Sequence, residues 1–350
     1  MTIIILILML SILIFVHEFG HFIAAKKIGV YVHEFALGMG PKIFSFKRKK
    51  HNDPTEYSLR AFPIGGFCAM AGEVDEDSKG LKKEQFMCNR SKWERFLILI
   101  AGVTMNTITA FIILLLQGLI YGAPEQKPIV GSAPEGYPVA EAGIEVGDRI
   151  LKVNNHKVNT WDKLTLVLNL KNKDNNYTFE VKKTDGSTKT YTIVPKTEKD
   201  EKGNEVKVFG IGVNNEVHRG FFASIKYAFV KLGSIVSTMF IIIGSLFTGS
   251  LGLSSLSGPV GMYTIVGESA KLGFSSIMYL TAYLSLNLAV INVLPFSALD
   301  GGRILFVVIE AIKGSKVKPE VENKFHTIGF FLLMALMVYI TIKDIIRIAG

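Results

Sequence analysis

The sequence predicts a polytopic α-helical membrane protein with a soluble domain inserted between its membrane helices. Apolar residues make up 49% of the 350-residue chain and are concentrated in long uncharged runs, and a mixed polar stretch separates the second run from the third. About 20 apolar residues in a helix cross the hydrocarbon of a bilayer. Because lipid offers no partners to unpaired backbone groups, we expect each run to be helical.

Four runs are predicted to span the membrane. They cover about 1–25, 93–121, 274–298 and 325–346. Ionisable side chains are rare in them: the first contains only His17, Glu18 and His21, and the fourth contains only His326 up to residue 342. Such groups are expensive inside a bilayer and are usually functional.

The charge distribution predicts the orientation. The chain has a formal net charge of +9, and residues 26–95 hold an excess of Lys and Arg, whereas residues 122–220 are nearly neutral. A basic segment beside membrane spans follows the positive-inside rule and does not indicate nucleic-acid binding. We therefore expect residues 26–95, with Cys68 and Cys88, in the cytoplasm, where a structural disulfide is not expected.

The cytoplasmic segment contains a predicted hairpin. Residues 55–70, TEYSLRAFPIGGFCAM, have the pattern of strand, turn and strand, because Pro63 and the pair Gly65–Gly66 interrupt an alternating apolar run. One interpretation is an amphipathic hairpin on the bilayer surface. The other is a sheet edge that pairs with an extended peptide.

A metal-binding motif lies in the first span. His17 and His21 are four residues apart in the sequence HEFGH, so on a helix they share one face and can hold one metal ion. Glu18 is placed to act as general base on a metal-activated water. The alternative is a set of interfacial polar residues without a metal.

A catalytic zinc site needs a third protein ligand and an open position. The candidate is Asp300, which follows a helix interruption at Pro295 and precedes Gly301–Gly302. The alternative is a solvated aspartate at a plain helix end.

The soluble stretch at residues 129–215 resembles a PDZ domain of the type found in bacterial proteases. The resemblance rests on AEAGIEVGDRILKVNNHKV at residues 140–158, followed by a short helical stretch and alternating strands. The alternative is an unrelated small β-rich domain.

Taken together, HEFGH, RAFPIGGFCAMAGE, the PDZ-like insert and NVLPFSALDGG resemble the site-2 protease family, in its bacterial branch with a PDZ domain. This resemblance implies an intramembrane zinc metalloendopeptidase, with His17, His21 and Asp300 as zinc ligands and Glu18 as the catalytic residue. The substrate-binding residues that it implies are Tyr57, Leu59, Ala61, Gly65, Gly66, Asn292 and Pro295. Ser297 departs from the family, which often has a second proline at that position.

The function predicted from these features is cleavage of transmembrane segments, with Zn²⁺ as cofactor. Anti-sigma factors and remnant signal peptides are the substrate types implied by the family. The expected partners are such membrane proteins, the lipid bilayer and substrate C-termini at the PDZ-like domain, with no nucleic acid. Two alternatives are a membrane-anchored PDZ scaffold with a vestigial metal site and a metal transporter.

The fold class is therefore four transmembrane helices, a membrane-associated β-hairpin and an inserted extracytoplasmic PDZ-like α+β domain. The predicted parts are 1–121, 124–215, an interfacial linker 216–272 and 273–350. The apolar stretch Tyr227–Phe247 is expected to be interfacial or partly inserted, because a crossing there would put Asp300 on the wrong face. We expect a multi-pass cell-membrane protein with its metal site toward the cytoplasm.

Overall fold

A computed structural model describes residues 1–47, 55–72, 80–170, 175–199, 205–252 and 256–349. The chain forms two compact units. The first comprises residues 1–113 and 256–350, and the second comprises residues 114–255. The predicted linker is thereby divided between the two units.

Both units contain helices. In chain order they are α1 (Thr2–Ile28), α2 (Lys92–Tyr121), α3 (Pro138–Glu141), α4 (Trp161–Asn169), α5 (Phe221–Phe247), α6 (Pro259–Lys271), α7 (Phe274–Val293), α8 (Asp300–Lys313) and α9 (Pro319–Ala349). By length and composition, five of the described helices can cross a membrane: α1, α2, α5, α7 and α9. The first, second, fourth and fifth of these correspond to the predicted spans, and α5 contains the stretch Tyr227–Phe247.

The strands form several small sheets. They are β1 (Val32–Lys47), β2 (Glu56–Met70), β3 (Ala123–Pro124), β4 (Val130–Ser132), β5 (Arg149–Val153), β6 (His156–Lys157), β7 (Tyr177–Lys182), β8 (Thr188–Ile193), β9 (Lys196–Lys199), β10 (Glu205–Val208), β11 (Gly212–Val213) and β12 (Val217–His218). The chain is thus a polytopic membrane protein with a β domain between its second and third predicted spans.

Within the first unit, α2 runs antiparallel to α1, and α7 runs parallel to it. His17 of α1 lies beside Asn106 of α2, and His21, one turn later, lies beside the earlier residue Ile98. Met9 and Leu13 belong to one apolar cluster with Leu280 and Leu284 of α7, and the beginning of α8 meets α1 further along, at His17 and His21. The end of α7 therefore lies at the same level as the HEFGH motif.

The sheet formed by β1 and β2 differs from the hairpin predicted for residues 55–70. Both strands bend, and the two arms of β2 do not pair with each other. Each pairs with residues 34–37 of β1 instead, so Phe35 has Tyr57 on one side and Cys68 on the other. Residues 42–47 complete the order 42–47, 56–60, 34–37, 66–70. The bend in β1 uses Gly38 at φ +85°, where a side chain would also strike the Phe62 carbonyl oxygen.

The bent end of this sheet is apolar and lies along α1. Ile43, Phe44 and Phe62 are each more than half exposed. Ser11, near the middle of α1, donates a hydrogen bond to the Pro63 carbonyl. Since Ser11 lies almost two turns before Glu18, the sheet follows α1 into the apolar part of the helix, and its exposed apolar side chains are suited to lipid.

The second unit is built around a four-stranded antiparallel sheet in the order β6-β5-β7-β8. Its core is apolar and includes Ile150, Leu164, Phe179 and Ile193. β4 pairs with β11 beside this sheet, and β9 pairs with β10. The core explains why this stretch lacks the long uncharged runs of the spans: strands that bury only one face alternate apolar and polar residues.

Helix α5 packs on this β domain through a polar stripe. Lys231 forms an ion pair with Asp162 at 2.7 Å, and Ser234 is hydrogen bonded to both Thr160 (2.7 Å) and Asp162 (2.8 Å). Its exposed apolar side chains are Phe221, Phe222, Phe229, Val230, Phe240 and Phe247, and Lys226 is exposed near its beginning. One face of the helix therefore contacts the β domain, and another face exposes apolar side chains.

Candidate metal centre

Three side chains meet where α1 passes the beginning of α8. The Nε2 atoms of His17 and His21 are 3.2 Å apart, as expected for residues one helical turn apart. The Oδ2 atom of Asp300 lies 3.0 Å from the first and 3.2 Å from the second. All three ligand atoms fall within 4.8 Å of one another, and both histidines are buried. The predicted ligand set is therefore assembled across 283 residues of sequence.

The close packing of α1 and α2 depends on two glycines. A methyl group on Gly20 would overlap the backbone of Ala101, and one on Gly102 would lie 2.7 Å from the Cε1 atom of His17. The helices approach closely enough for α2 to contact the imidazoles directly. This contact gives each histidine a second partner.

The second partners orient both rings. The Nδ1–H of His21 donates to the Ile98 carbonyl at 2.8 Å, which leaves Nε2 as the metal-binding nitrogen. The Nδ1 atom of His17 lies 3.4 Å from the amide of Asn106, whose Oδ1 is buried and lacks a hydrogen-bond partner among the described residues. When the Asn106 amide is oriented with Oδ1 toward this nitrogen, Oδ1 accepts a hydrogen bond from the Nδ1–H of His17.

With both Nδ1 atoms protonated, three acceptor atoms converge on one point. Two imidazole lone pairs and a carboxylate oxygen repel one another unless a cation lies between them. Two histidine nitrogens and one carboxylate oxygen are a ligand set suited to Zn²⁺, with one position left for water or substrate. The residues present therefore fit a catalytic zinc ion.

Asp300 reaches this point because α7 ends abruptly. The helix stops at Val293, residues 294–299 form a loop, and α8 begins at Asp300 itself. Gly301 and Gly302 lie so close to the loop that a methyl on either would overlap its carbonyl groups. The helix interruption expected at Pro295 is thus a complete break, although Ser297 stands where the family often has a second proline.

Glu18 lies beside the histidines in a cavity of about 380 Å³. Its Oε2 accepts a hydrogen bond from the backbone N–H of Cys68 at 3.2 Å. Cys68 belongs to residues 66–70, which form one of the two outer segments of this four-segment sheet. The cavity thus brings together the carboxylate, the metal-binding residues and a strand backbone. Neither cysteine forms a disulfide.

None of the seven predicted substrate-binding residues lines this cavity. Tyr57 and Leu59 belong to an inner segment that pairs on both sides, with residues 34–37 and 42–47. Their backbone groups are used within the sheet, so an added strand cannot pair there. Ala61 and Gly65 lie in the bend between the two arms, whereas Gly66 begins the outer segment beside Glu18.

The two predicted residues near the end of α7 also differ in position. Asn292 is buried in the last turn of that helix, and Pro295 is exposed in the loop before Asp300. Cys68, Phe67, Leu99, Arg303, His326 and Phe330 line the cavity but were not predicted from the sequence as site residues. Of these, His326 had the clearest signal, because it is the ionisable side chain of the last apolar run.

Comparisons with known proteins identify the family of this chain. The model of peptidase family M50 matches residues 5–336. RasP of Bacillus licheniformis, a zinc metalloprotease, is 31% identical over 99% of both chains, and the regulator of sigma-W protease RasP of Bacillus subtilis is 30% identical over 99% of both. A candidate zinc metalloprotease of Clostridium perfringens is 39% identical, again over 99% of both chains. The chain therefore belongs to peptidase family M50, the site-2 protease family, and is a zinc metalloprotease.

Proposed function

We propose that this zinc metalloprotease is an endopeptidase that cleaves transmembrane segments of membrane proteins within the bilayer. The observation that carries the proposal is the position of Glu18, between the cluster of His17, His21 and Asp300 and the outer sheet segment at Cys68. A base, a metal-binding cluster and a strand that can align a peptide are what hydrolysis of an amide within an apolar helix requires.

In this mechanism the two histidines and Asp300 hold the zinc ion. When bound, zinc supplies Lewis acidity that polarises the scissile carbonyl and lowers the pKa of water. Glu18 accepts the proton of the attacking water and then donates it to the leaving amine. The buried surroundings of the histidines strengthen these charge interactions by excluding bulk water.

The substrate is bound in extended form along residues 66–70. A helical substrate keeps its amides in its own hydrogen bonds, so it must be unwound before water can attack. Pairing with a strand replaces those lost hydrogen bonds. The N–H of Cys68 points toward Glu18, so the outer edge of this segment lies beside the proposed base. Gly66 lies in the same segment, so we retain it, with Asn292 and Pro295 near Asp300, as the predicted substrate-binding positions.

The β domain is proposed to be PDZ-like and to select substrates. A groove of about 480 Å³ runs between α4 and residues 207–213. It is lined by Leu164 and Leu168, by Lys207, whose ammonium group also contacts the Tyr177 hydroxyl, and by residues 209–212. These features suit a peptide end that carries an apolar last residue and a negative carboxylate. Substrate C-termini exposed by an earlier cleavage have this chemistry.

The proposed topology has four crossings, with α5 at the outer membrane surface. Helices α1 and α7 are parallel and α2 is antiparallel to them, so if all three cross, the chain between α2 and α7 starts and ends on one side. Helix α5 also packs on the soluble β domain through Lys231 and Ser234, which a helix immersed in lipid does not do. Its exposed aromatic face then lies in the membrane interface.

The proposed substrates are anti-sigma factors and remnant signal peptides. The support is similarity to the Bacillus subtilis protease named as a regulator of sigma-W, over nearly the full length of both chains. Both substrate types retain a single membrane segment after their extracytoplasmic part has been removed. This fits a β domain that binds newly exposed C-termini.

The test is a substrate trap. Glu18→Gln removes the base and keeps the three ligand side chains, so we expect undiminished zinc content and no cleavage of a reconstituted transmembrane substrate. The trapped substrates are then identified after crosslinking. Glu84→Gln, an exposed position outside the cavity, is the matched control that retains cleavage. Cleavage by Glu18→Gln at the wild-type rate would refute the proposed mechanism, and transport of zinc without cleavage by the wild-type protein would favour a transporter.

A further inference from the structure

The loop before Asp300 carries a carbonyl group that its own helices do not use. Ser297 lies three residues before Asp300, outside both α7 and α8, and is buried. A buried carbonyl without a hydrogen bond would cost free energy and would let the loop move. In this chain the partner comes from α9.

His326 of α9 contacts this carbonyl through Nδ1. Since a carbonyl oxygen only accepts hydrogen bonds, Nδ1 must carry the proton and donate. The ring is packed between Phe306 of α8 and Phe325, with ring centroids 5.9 and 5.8 Å away. The donor is therefore fixed in direction before substrate or metal binds.

A second contact lies one turn along the same helix face. Gly329 is buried against Ser297, and a methyl group at this position would overlap the Ser297 side chain. On the opposite side of the loop, Gly301 and Gly302 leave no room for a methyl either. The loop is thus held between α8 and the His326–Gly329 face of α9.

We propose that His326 is a positioning residue, which holds the Ser297 carbonyl so that Asp300 meets the two histidines. This inference rests on the proposed role of Asp300 as a zinc ligand. Three short links join the residues: Nδ1 of His326 to the Ser297 carbonyl, three residues of chain to Asp300, and 3.0 Å from its Oδ2 to His17 Nε2. His326 also lines the cavity of Glu18, so a change in its position alters the same site.

The Nε2 atom of His326 is not used in this role. It is buried, has no hydrogen-bond partner among the described residues, and lies 3.8 Å from a carboxylate oxygen of Glu322. The proposal therefore distinguishes the two ring nitrogens. Asparagine carries its amide nitrogen at the position of Nδ1, whereas glutamine carries it at the position of Nε2.

The experiment measures zinc affinity of the full-length protein in detergent with a competing chelator. We expect His326→Asn to stay within about threefold of the wild type, and His326→Gln and His326→Ala to lose about tenfold, the lower end of what changes around a metal ligand cost. The Co²⁺-substituted proteins give a second readout, because their absorption bands shift if the ligand geometry changes. Thr327→Ala, an exposed neighbour on α9, is the control that should match the wild type.

Two variants at the Gly329–Ser297 contact test the proposal without changing the histidine. Gly329→Ala should also weaken zinc binding about tenfold. Adding Ser297→Gly, which removes the overlapped side chain, should restore most of the affinity. The proposal is overturned if His326→Ala binds zinc as the wild type does, if the asparagine and glutamine variants lose equally, or if the double variant is not rescued. A failure of Asp300→Asn to change zinc affinity would instead refute the ligand assignment.

Discussion

Asn106 offers a direct test of how α2 supports the metal centre. Its side chain is buried and lies beside Nδ1 of His17, and its Oδ1 has no other partner among the described residues. Asn106→Leu keeps the volume and removes the acceptor, so the Nδ1–H of His17 loses its partner. Loss of such a partner typically costs about 10- to 100-fold in metal affinity, or ~1.4–2.7 kcal/mol at 25 °C.

The matched variant is Asn106→Asp, which keeps an acceptor at the same position and adds a negative charge. We expect it to retain zinc affinity, because carboxylate–histidine–zinc arrangements hold the ring and raise its basicity. Affinity is measured by chelator competition on the full-length protein, and Thr104→Val, on an exposed part of α2, is the control. Equal affinity of the leucine variant and the wild type would refute the reasoning, as would loss in the aspartate variant alone.

The remaining predictions concern packing and charge. Gly102→Ala places a methyl against both imidazoles, and we expect lower zinc content together with a loss of about 1–3 kcal/mol in stability, followed by chemical denaturation in detergent. Asp344→Ala removes the acceptor for the Gly258 and Gly261 amides at the start of α6, and it should cost about 2–4 kcal/mol in the same assay, whereas Asp344→Asn should cost less. The hydrogen bond to buried Asp148 raises the pKa of Lys183. The stability that this ion pair contributes should therefore be lost as pH rises above the ordinary lysine range. Lys183→Met should destabilise the β domain by about 2 kcal/mol, measured by hydrogen exchange.

The chemistry of the metal centre was accessible from the sequence because it depends on local spacing. Two histidines four residues apart on a helix share a face regardless of the rest of the fold, and an aspartate after a broken apolar run is conspicuous. The long apolar runs were equally informative, since their length is set by the bilayer and not by packing.

The sheet was less accessible, because strand pairing is a long-range property. The pattern of residues 55–70 predicts two strands, and both exist as arms of β2. It does not reveal that each pairs with residues 34–37, and that partner decides which backbone is inner and which is outer. The sequence therefore predicts a substrate-binding strand at Tyr57, although Tyr57 lies in an inner segment of the sheet and Cys68 lies in the outer one.

The residues that support the site are hard to recognise in the sequence. Their role depends on which groups they contact in the folded chain, and for the glycines it depends on the lack of a side chain. Gly20 lets the backbone of α2 approach α1, Gly102 leaves room for the imidazoles, and Gly329 leaves room for the Ser297 side chain. Asn106 lies beside Nδ1 of His17, and His326 contacts the Ser297 carbonyl through its own Nδ1. A bilayer cannot provide such polar partners, and water is excluded from the buried histidines, so a metal centre in this setting must be built from close helix contacts. Close helix contacts at Gly20 and Gly102 are therefore part of the metal centre itself.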